Sequence, residues 1–139
     1  MNTTEKTADL VGRILISILF LGAGLDKIGG YAGTQAYMES AGVPGISLPL
    51  VIALEILGAL AVILGFQTRI AAALLALFSI ASAVLFHWVP GDQMQSIMFM
   101  KNLAIAGGFL FLVARGAGDW SLDARRSRLA SPGGPISRP

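Results

Sequence analysis

The sequence predicts an all-α integral membrane protein, a four-helix bundle with a short amphipathic helix on its outer loop. Of its 139 residues 55% are hydrophobic and 13% charged, and the mean hydropathy is +0.73, well above that of a soluble domain of this length. Four apolar stretches, at residues 10–28, 48–66, 70–89 and 96–114, each approach the about 20 residues a helix needs to cross about 30 Å of hydrocarbon. The gaps between them carry the glycine, proline and polar residues of turns.

Residues 1–9 form a polar N-terminal segment. The first apolar stretch has some look of a signal peptide, with Lys6 ahead of an apolar core and a small-residue "LGAG" behind it. Arg13 interrupts that core and the run exceeds the usual h-region, so the stretch is expected to remain as the first helix. The long loop "GGYAGTQAYMESAGVPGIS" follows, with a short helix expected over 34–40 and Tyr31 and Tyr37 suited to the headgroup level. After the second stretch, Gly65 and the polar run 67–69 make a tight hairpin; after the third, "PGDQ" at 90–93 makes another. Beyond Ala114 the composition turns to "RGAGDWSLDARRSRLASPGGPISRP". This places the membrane domain at 10–123 and leaves 124–139 as a disordered basic tail whose arginines suit anionic lipid.

Four spans put both termini and the 67–69 turn on one side. That side carries Lys6, Arg13, Arg69, Arg115, Arg125, Arg126, Arg128 and Arg138, against Lys27 and Lys101 on the other. The positive-inside rule then makes the termini cytoplasmic in a bacterial-type plasma membrane. Small residues four apart, Ala61/Gly65, Ala72/Ala76, Ser79/Ala83 and Ala104/Gly108, are suited to close helix approach in lipid.

With no cysteine in the chain, thiolate catalysis, disulfide exchange, iron–sulfur clusters and cysteine metal sites are excluded for the chain acting alone. The single histidine, His87, excludes bis-histidine haem ligation within one chain, while histidine–methionine ligation stays open. No metal site and no nucleic-acid partner are expected, and a redox role would need a borrowed cofactor, a quinone being the candidate.

Glu55 stands inside the second stretch, about seven residues or roughly 10 Å from its outer end. A carboxylate facing lipid at that depth costs at least about 2 kcal/mol, so it should point inward, and a partner or protonation is expected. Asp26 and Lys27 close the first helix, His87 closes the third, and Lys101 and Asn102 open the fourth at similar depth. These six residues are expected to gather in one polar layer of the outer half. Two readings stand: a salt-bridge network in which Glu55 pairs with Lys101 or Lys27, or a pocket for a quinone, an oxyanion or a lipid headgroup. For a quinone, His87 and Glu55 have the tunable protons and Lys101 the positive charge. At the inner face, Arg13, Arg69 and Arg115 read as structural anchors, with Asp119 and Asp123 within reach; Asp123 is expected to pair with Arg13 or Arg69.

Arg13, "GLDK", "LEILGALAVILGFQTR", the histidine closing helix three, "KNLAIAGG" and the tail "GAGDWSLD" together resemble the DoxX family of small four-helix membrane proteins, over about residues 10–123. The glutamate block and the "GxGxxSLD" ending are the discriminating segments. The resemblance implies a plasma-membrane subunit associated with quinone-linked oxidoreductases or oxidative-stress complexes, with redox-complex proteins or a second copy of the chain as partners besides the bilayer. It assigns no catalytic set; Arg13, Lys27, Glu55, Arg69, His87 and Asp123 match recurrent polar positions.

The leading expectation is therefore an accessory membrane subunit of a redox or detoxification complex with a ligand site in the polar layer, not an enzyme by itself. A scaffold without ligand and a small transporter are the alternatives. The transporter would need polar residues at successive depths, and the second helix has none between Glu55 and Gln67.

Overall fold

The computed structural model describes residues 1–131 and 133. Arg138, counted above in the charge bias, lies outside the described residues, as does most of the tail beyond Ser131. The described chain is helical throughout: α1 (Thr3–Gly29), α2 (Tyr31–Ser40), a 3₁₀ turn at Gly45–Ser47, α3 (Leu48–Leu64), α4 (Thr68–Phe86), α5 (Gln93–Arg115) and α6 (Leu122–Ala130). Of these α1, α3, α4 and α5 are long and apolar enough to cross a membrane.

Local chemistry sets each boundary. The first helix begins well before Leu10 because Asn2 and Glu5 form a reciprocal capping box: Glu5 N–H donates to Asn2 Oδ1 at 2.8 Å and Asn2 N–H to Glu5 Oε2 at 2.9 Å. The expected outer-loop helix is present and starts earlier, at Tyr31. Helix α3 has a proline in its first turn and stops at Gly65, whose left-handed φ of 69° allows Phe66 N–H to return to the Ala61 carbonyl at 2.8 Å. Helix α4 ends at Phe86, short of the expected Val89, before the turn through Pro90. Asp92 caps α5 by accepting from Gln95 N–H at 3.0 Å, so this helix starts at Gln93 rather than 96.

The basic tail corrects one expectation. Residues 124–130, expected to be disordered, belong to α6, capped by the Ser121 hydroxyl on Ala124 N–H at 3.1 Å. A nine-residue polar helix is marginal alone; this one is anchored through Asp123, described below.

The spans pack as two pairs, α1 on α3 and α4 on α5, joined through α3 and α4, while α1 and α5 barely touch. Between them lie Phe20, Ala59, Val62, Leu75, Ala106 and Phe109, with the Phe20 and Phe109 rings edge to face at 5.5 Å. Ala72, Ala76, Ser79 and Ala83 are buried along one stripe of α4, the close approach expected of small residues in lipid. Ala104 is instead exposed, and its pair mate Gly108 meets Ile16. Leu15, Ile18, Leu57, Leu77 and Phe111 face outward, the belt of large apolar side chains that contacts the bilayer.

Candidate functional site

Glu55 is buried on α3, and its partner is Lys27 of α1. The ammonium lies 2.9 Å from Oε1 and 3.1 Å from Oε2, with the glutamate 1% exposed and the lysine side chain 26% exposed. Gly24, one turn earlier on α1, permits the contact: a Cβ there would sit 2.6 Å from Ile56 Cγ1 and 3.3 Å from Glu55 Cβ. Of the two partners expected, Lys101 or Lys27, the contact is with Lys27.

The six-residue layer does not assemble; it divides. Lys27 and Glu55 make one pair, and His87 Nδ1 meets Gln95 Oε1 at 2.7 Å in another. Asp26 and Lys101 are exposed, and Asn102 is half-buried; among the described residues none of the three makes a side-chain hydrogen bond or an ion pair. Helix geometry explains the division, because successive residues are turned about 100° apart. Lys27 shares its face with the buried Gly24 and Phe20, at offsets of three and seven, and Asp26 is turned away from it. Asn102 shares its face with the buried Ala106 and Phe109, and Lys101 is turned away in the same manner.

His87 borders an open cleft of about 300 Å³ between the end of α4 and the start of α5, walled by Trp88, Phe99 and Met100. The Trp88 and Phe99 rings are 5.3 Å apart and tilted by 58°. Since a carboxamide oxygen accepts, Nδ1 carries a proton and donates it to Gln95.

At the opposite end Arg13 is buried at 1% exposure. Its Nε donates to Asp9 Oδ2 at 2.9 Å, Nη1 to the carbonyls of Val62 and Ile63 at 3.1 and 2.8 Å, and Nη2 to the carbonyl of Trp120 at 2.5 Å. Asp9 Oδ2 also accepts from Gly118 N–H at 2.9 Å. One side chain thus ties α1 to the end of α3 and to the segment after α5, supplying a donor to the Ile63 carbonyl and a second one to Val62, which also accepts from Gly65 N–H.

Asp123 does not pair with Arg13 or Arg69, as was expected. It caps α4, accepting from Gln67 N–H at 2.8 Å, Thr68 N–H at 2.9 Å and the Thr68 hydroxyl at 2.7 Å. Partial burial pushes the carboxyl up, but the Thr68 and Gln67 donors together with the Arg126 charge outweigh it and hold the group below the usual aspartate range. Asp123 N–H donates in turn to the Gly65 carbonyl at 2.8 Å. Asp119 lies 3.7 Å from Lys6. Arg69 donates to the Arg115 carbonyl at 3.3 Å.

Several working residues went unread in the sequence. Asp9 is the clearest, since its spacing of four from Arg13 is the helical ion-pair interval. Gln95 and Thr68 carried no comparable signal, because their partners come from other elements. Among the described residues no group of three His, Cys, Asp or Glu side chains is placed to hold a metal ion.

The DoxX family model matches residues 8–88, a stretch that contains Arg13, Lys27, Glu55, Arg69 and His87 and stops short of the tail block. The chain is similar to the inner membrane protein YqjF of Escherichia coli K12, 53% identical over 123 residues, covering 88% of this chain and 95% of the relative. It is also similar to the inner membrane protein YphA of the same organism, 39% identical, covering 84% and 88%. A putative oxidoreductase, CatD of Bacillus subtilis 168, is 32% identical over 84 residues, covering 60% and 63%. No solved structure matches the chain. With the family model spanning more than half of its length and two relatives matched nearly end to end, this four-span membrane protein belongs to the DoxX family.

Proposed function

We propose that the protein is the membrane-embedded subunit of a redox or detoxification complex in the bacterial inner membrane, its termini cytoplasmic, and that it holds a quinone headgroup in the cleft beside His87. The cleft carries the reading: its about 300 Å³ is bordered by the Trp88–Phe99 ring pair and Met100, and His87 stands at its edge with Nδ1 fixed by Gln95. The Trp88–Phe99 pair would wall one side of the ring and exclude water, and His87, in its doubly protonated form, would donate from Nε2 to a ring oxygen while Nδ1 stays on Gln95. A bound quinone would supply two-electron acceptance, which the chain's own side chains do not. The name of the Bacillus relative, a putative oxidoreductase, agrees with a redox setting, in which a partner subunit delivers the electrons. The eight-to-two distribution of basic residues supports the orientation.

Reconstituted protein titrated with a short-chain quinone should show saturable quenching of Trp88 fluorescence, read in a Trp120→Phe background. His87→Ala should weaken binding about tenfold, the loss of one hydrogen bond. Quenching that does not saturate, or that ignores His87→Ala, would overturn the ligand reading.

A second reading, a scaffold without ligand, is favoured by one observation: Arg13, Glu55 and Asp123 all spend their polar atoms on holding helices together. Under it, His87→Ala leaves the co-purified partner proteins unchanged and no quinone binds.

A further inference from the structure

Where α4 begins, α5 ends and α6 crosses, a hollow of about 340 Å³ is lined by Arg69 and Arg115. Arg69 lies over the end of α5, donating to the Arg115 carbonyl at 3.3 Å. Gly116, at a φ of 73°, makes room for it: a Cβ there would stand 3.1 Å from Arg69 Nε. Among the described residues neither guanidinium lies within 4.0 Å of a carboxylate. Asp123, the acid that lines the hollow, has both oxygens turned to Gln67 and Thr68.

Arg115 also borders a second cavity, a groove of about 690 Å³ between α1 and α5, open because those two helices barely touch. Its sides are Gly12, Ile16, Gly108 and Phe111, running from the end of the bundle into the span. The acids at its mouth are already engaged, Asp9 by Arg13 and Gly118, and Glu5 by the Asn2 cap.

We propose that Arg69 and Arg115 bind the phosphate of an anionic phospholipid, with one acyl chain lying in the groove between Gly12 and Gly108. Guanidinium groups match phosphate oxygens in planar, paired geometry. Both arginines stand at the ends of spans, at the depth of headgroups. The apolar groove continuing from Arg115 favours a lipid over free phosphate, which shares the headgroup chemistry and has no use for the groove.

Native mass spectrometry of the full chain, released from bilayers of equal phosphatidylglycerol and phosphatidylcholine, tests this. The wild-type chain should retain phosphatidylglycerol preferentially, and Arg69→Gln and Arg115→Gln should each reduce the preference about fivefold. Arg125→Gln, outside the hollow, should leave it intact. Gly12→Leu, whose side chain enters the groove where nothing stands within 4 Å of its Cβ, should lower lipid retention. Undiminished preference in the Arg69→Gln, Arg115→Gln double variant would overturn the proposal. So would inorganic phosphate displacing the lipid while Gly12→Leu changes nothing, the signature of a free-anion site. If the double variant does not fold, the wild-type chain still decides: short-chain phosphatidylglycerol should raise its unfolding temperature more than equal short-chain phosphatidylcholine, and equal protection refutes the site.

Discussion

Glu55 in the middle of an apolar helix looks like a defect until Lys27 is placed beside it. A carboxylate buried at this depth is tolerable only with its counter-charge in contact, and removing one member of such a pair leaves the other stranded. Lys27→Met and Glu55→Gln should each destabilise the bundle by about 2–4 kcal/mol, and the double variant should recover a large part of that; steric-trap or denaturant unfolding in lipid micelles would measure it. Lys101→Met should have little effect, since Lys101 faces outward. Arg13→Gln should cost about 3–5 kcal/mol by taking the counter-charge from Asp9 and the guanidinium donors from the Ile63 and Trp120 carbonyls. For Asp123 the sign follows from its lowered pKa. Its stabilisation is complete above the unfolded value of about 3.9 and is lost as pH falls through the lower folded value. Trp120 emission in a Trp88→Phe background should therefore report undocking of α6 only in strong acid, and Asp123→Asn should weaken docking already at neutral pH.

At the scale of helices, what the sequence made legible and what it hid follow from the range of the physics involved. Hydropathy is a local property, so the four spans could be read directly, and the positions of Gly65, Pro90 and the outer-loop helix came with them. The facing of a polar residue near a helix end is not local. A one-residue step turns a side chain by about 100°, which separates Lys27 from Asp26 and Asn102 from Lys101, and depth along the axis alone could not tell them apart. The sixth helix was hidden for another reason: Asp123 meets Thr68 across 55 residues of chain, so the segment reads as basic tail until its dock exists. Gly24 shows the same dependence on tertiary context. Gly24→Val should force α1 off Ile56, since even a Cβ would stand 2.6 Å from it; the expected outcome is a loss of about 1–3 kcal/mol with weakened Lys27–Glu55 contact, read by unfolding and by exchange at Lys27.

For the whole molecule, the arrangement is two helix pairs closed at one end by Arg13 and Asp123 and pinned toward the other by Lys27 and Glu55. The charges inside the bundle are thereby committed to architecture, and the ligands proposed above would sit outside that set, in the His87 cleft and in the arginine hollow with its adjoining groove. Both lie at the ends of spans, where α4 and α5 meet the turn or the docked sixth helix. The outward belt of leucine, isoleucine and phenylalanine gives the bundle its bilayer contact, and van der Waals packing of small residues on α4 does the work that water would do for a soluble core. The central claim, that a buried glutamate joins α3 to α1 through Lys27, is open to direct observation. Solid-state NMR of ¹⁵N,¹³C-labelled protein in native-like lipid should give a strong through-space correlation between Lys27 Nζ and Glu55 Cδ that disappears in Glu55→Gln. A Lys27 ammonium correlated with Asp26 or with lipid phosphate instead, and a Glu55 carboxyl correlated with no cationic nitrogen or only with Lys101, would contradict it.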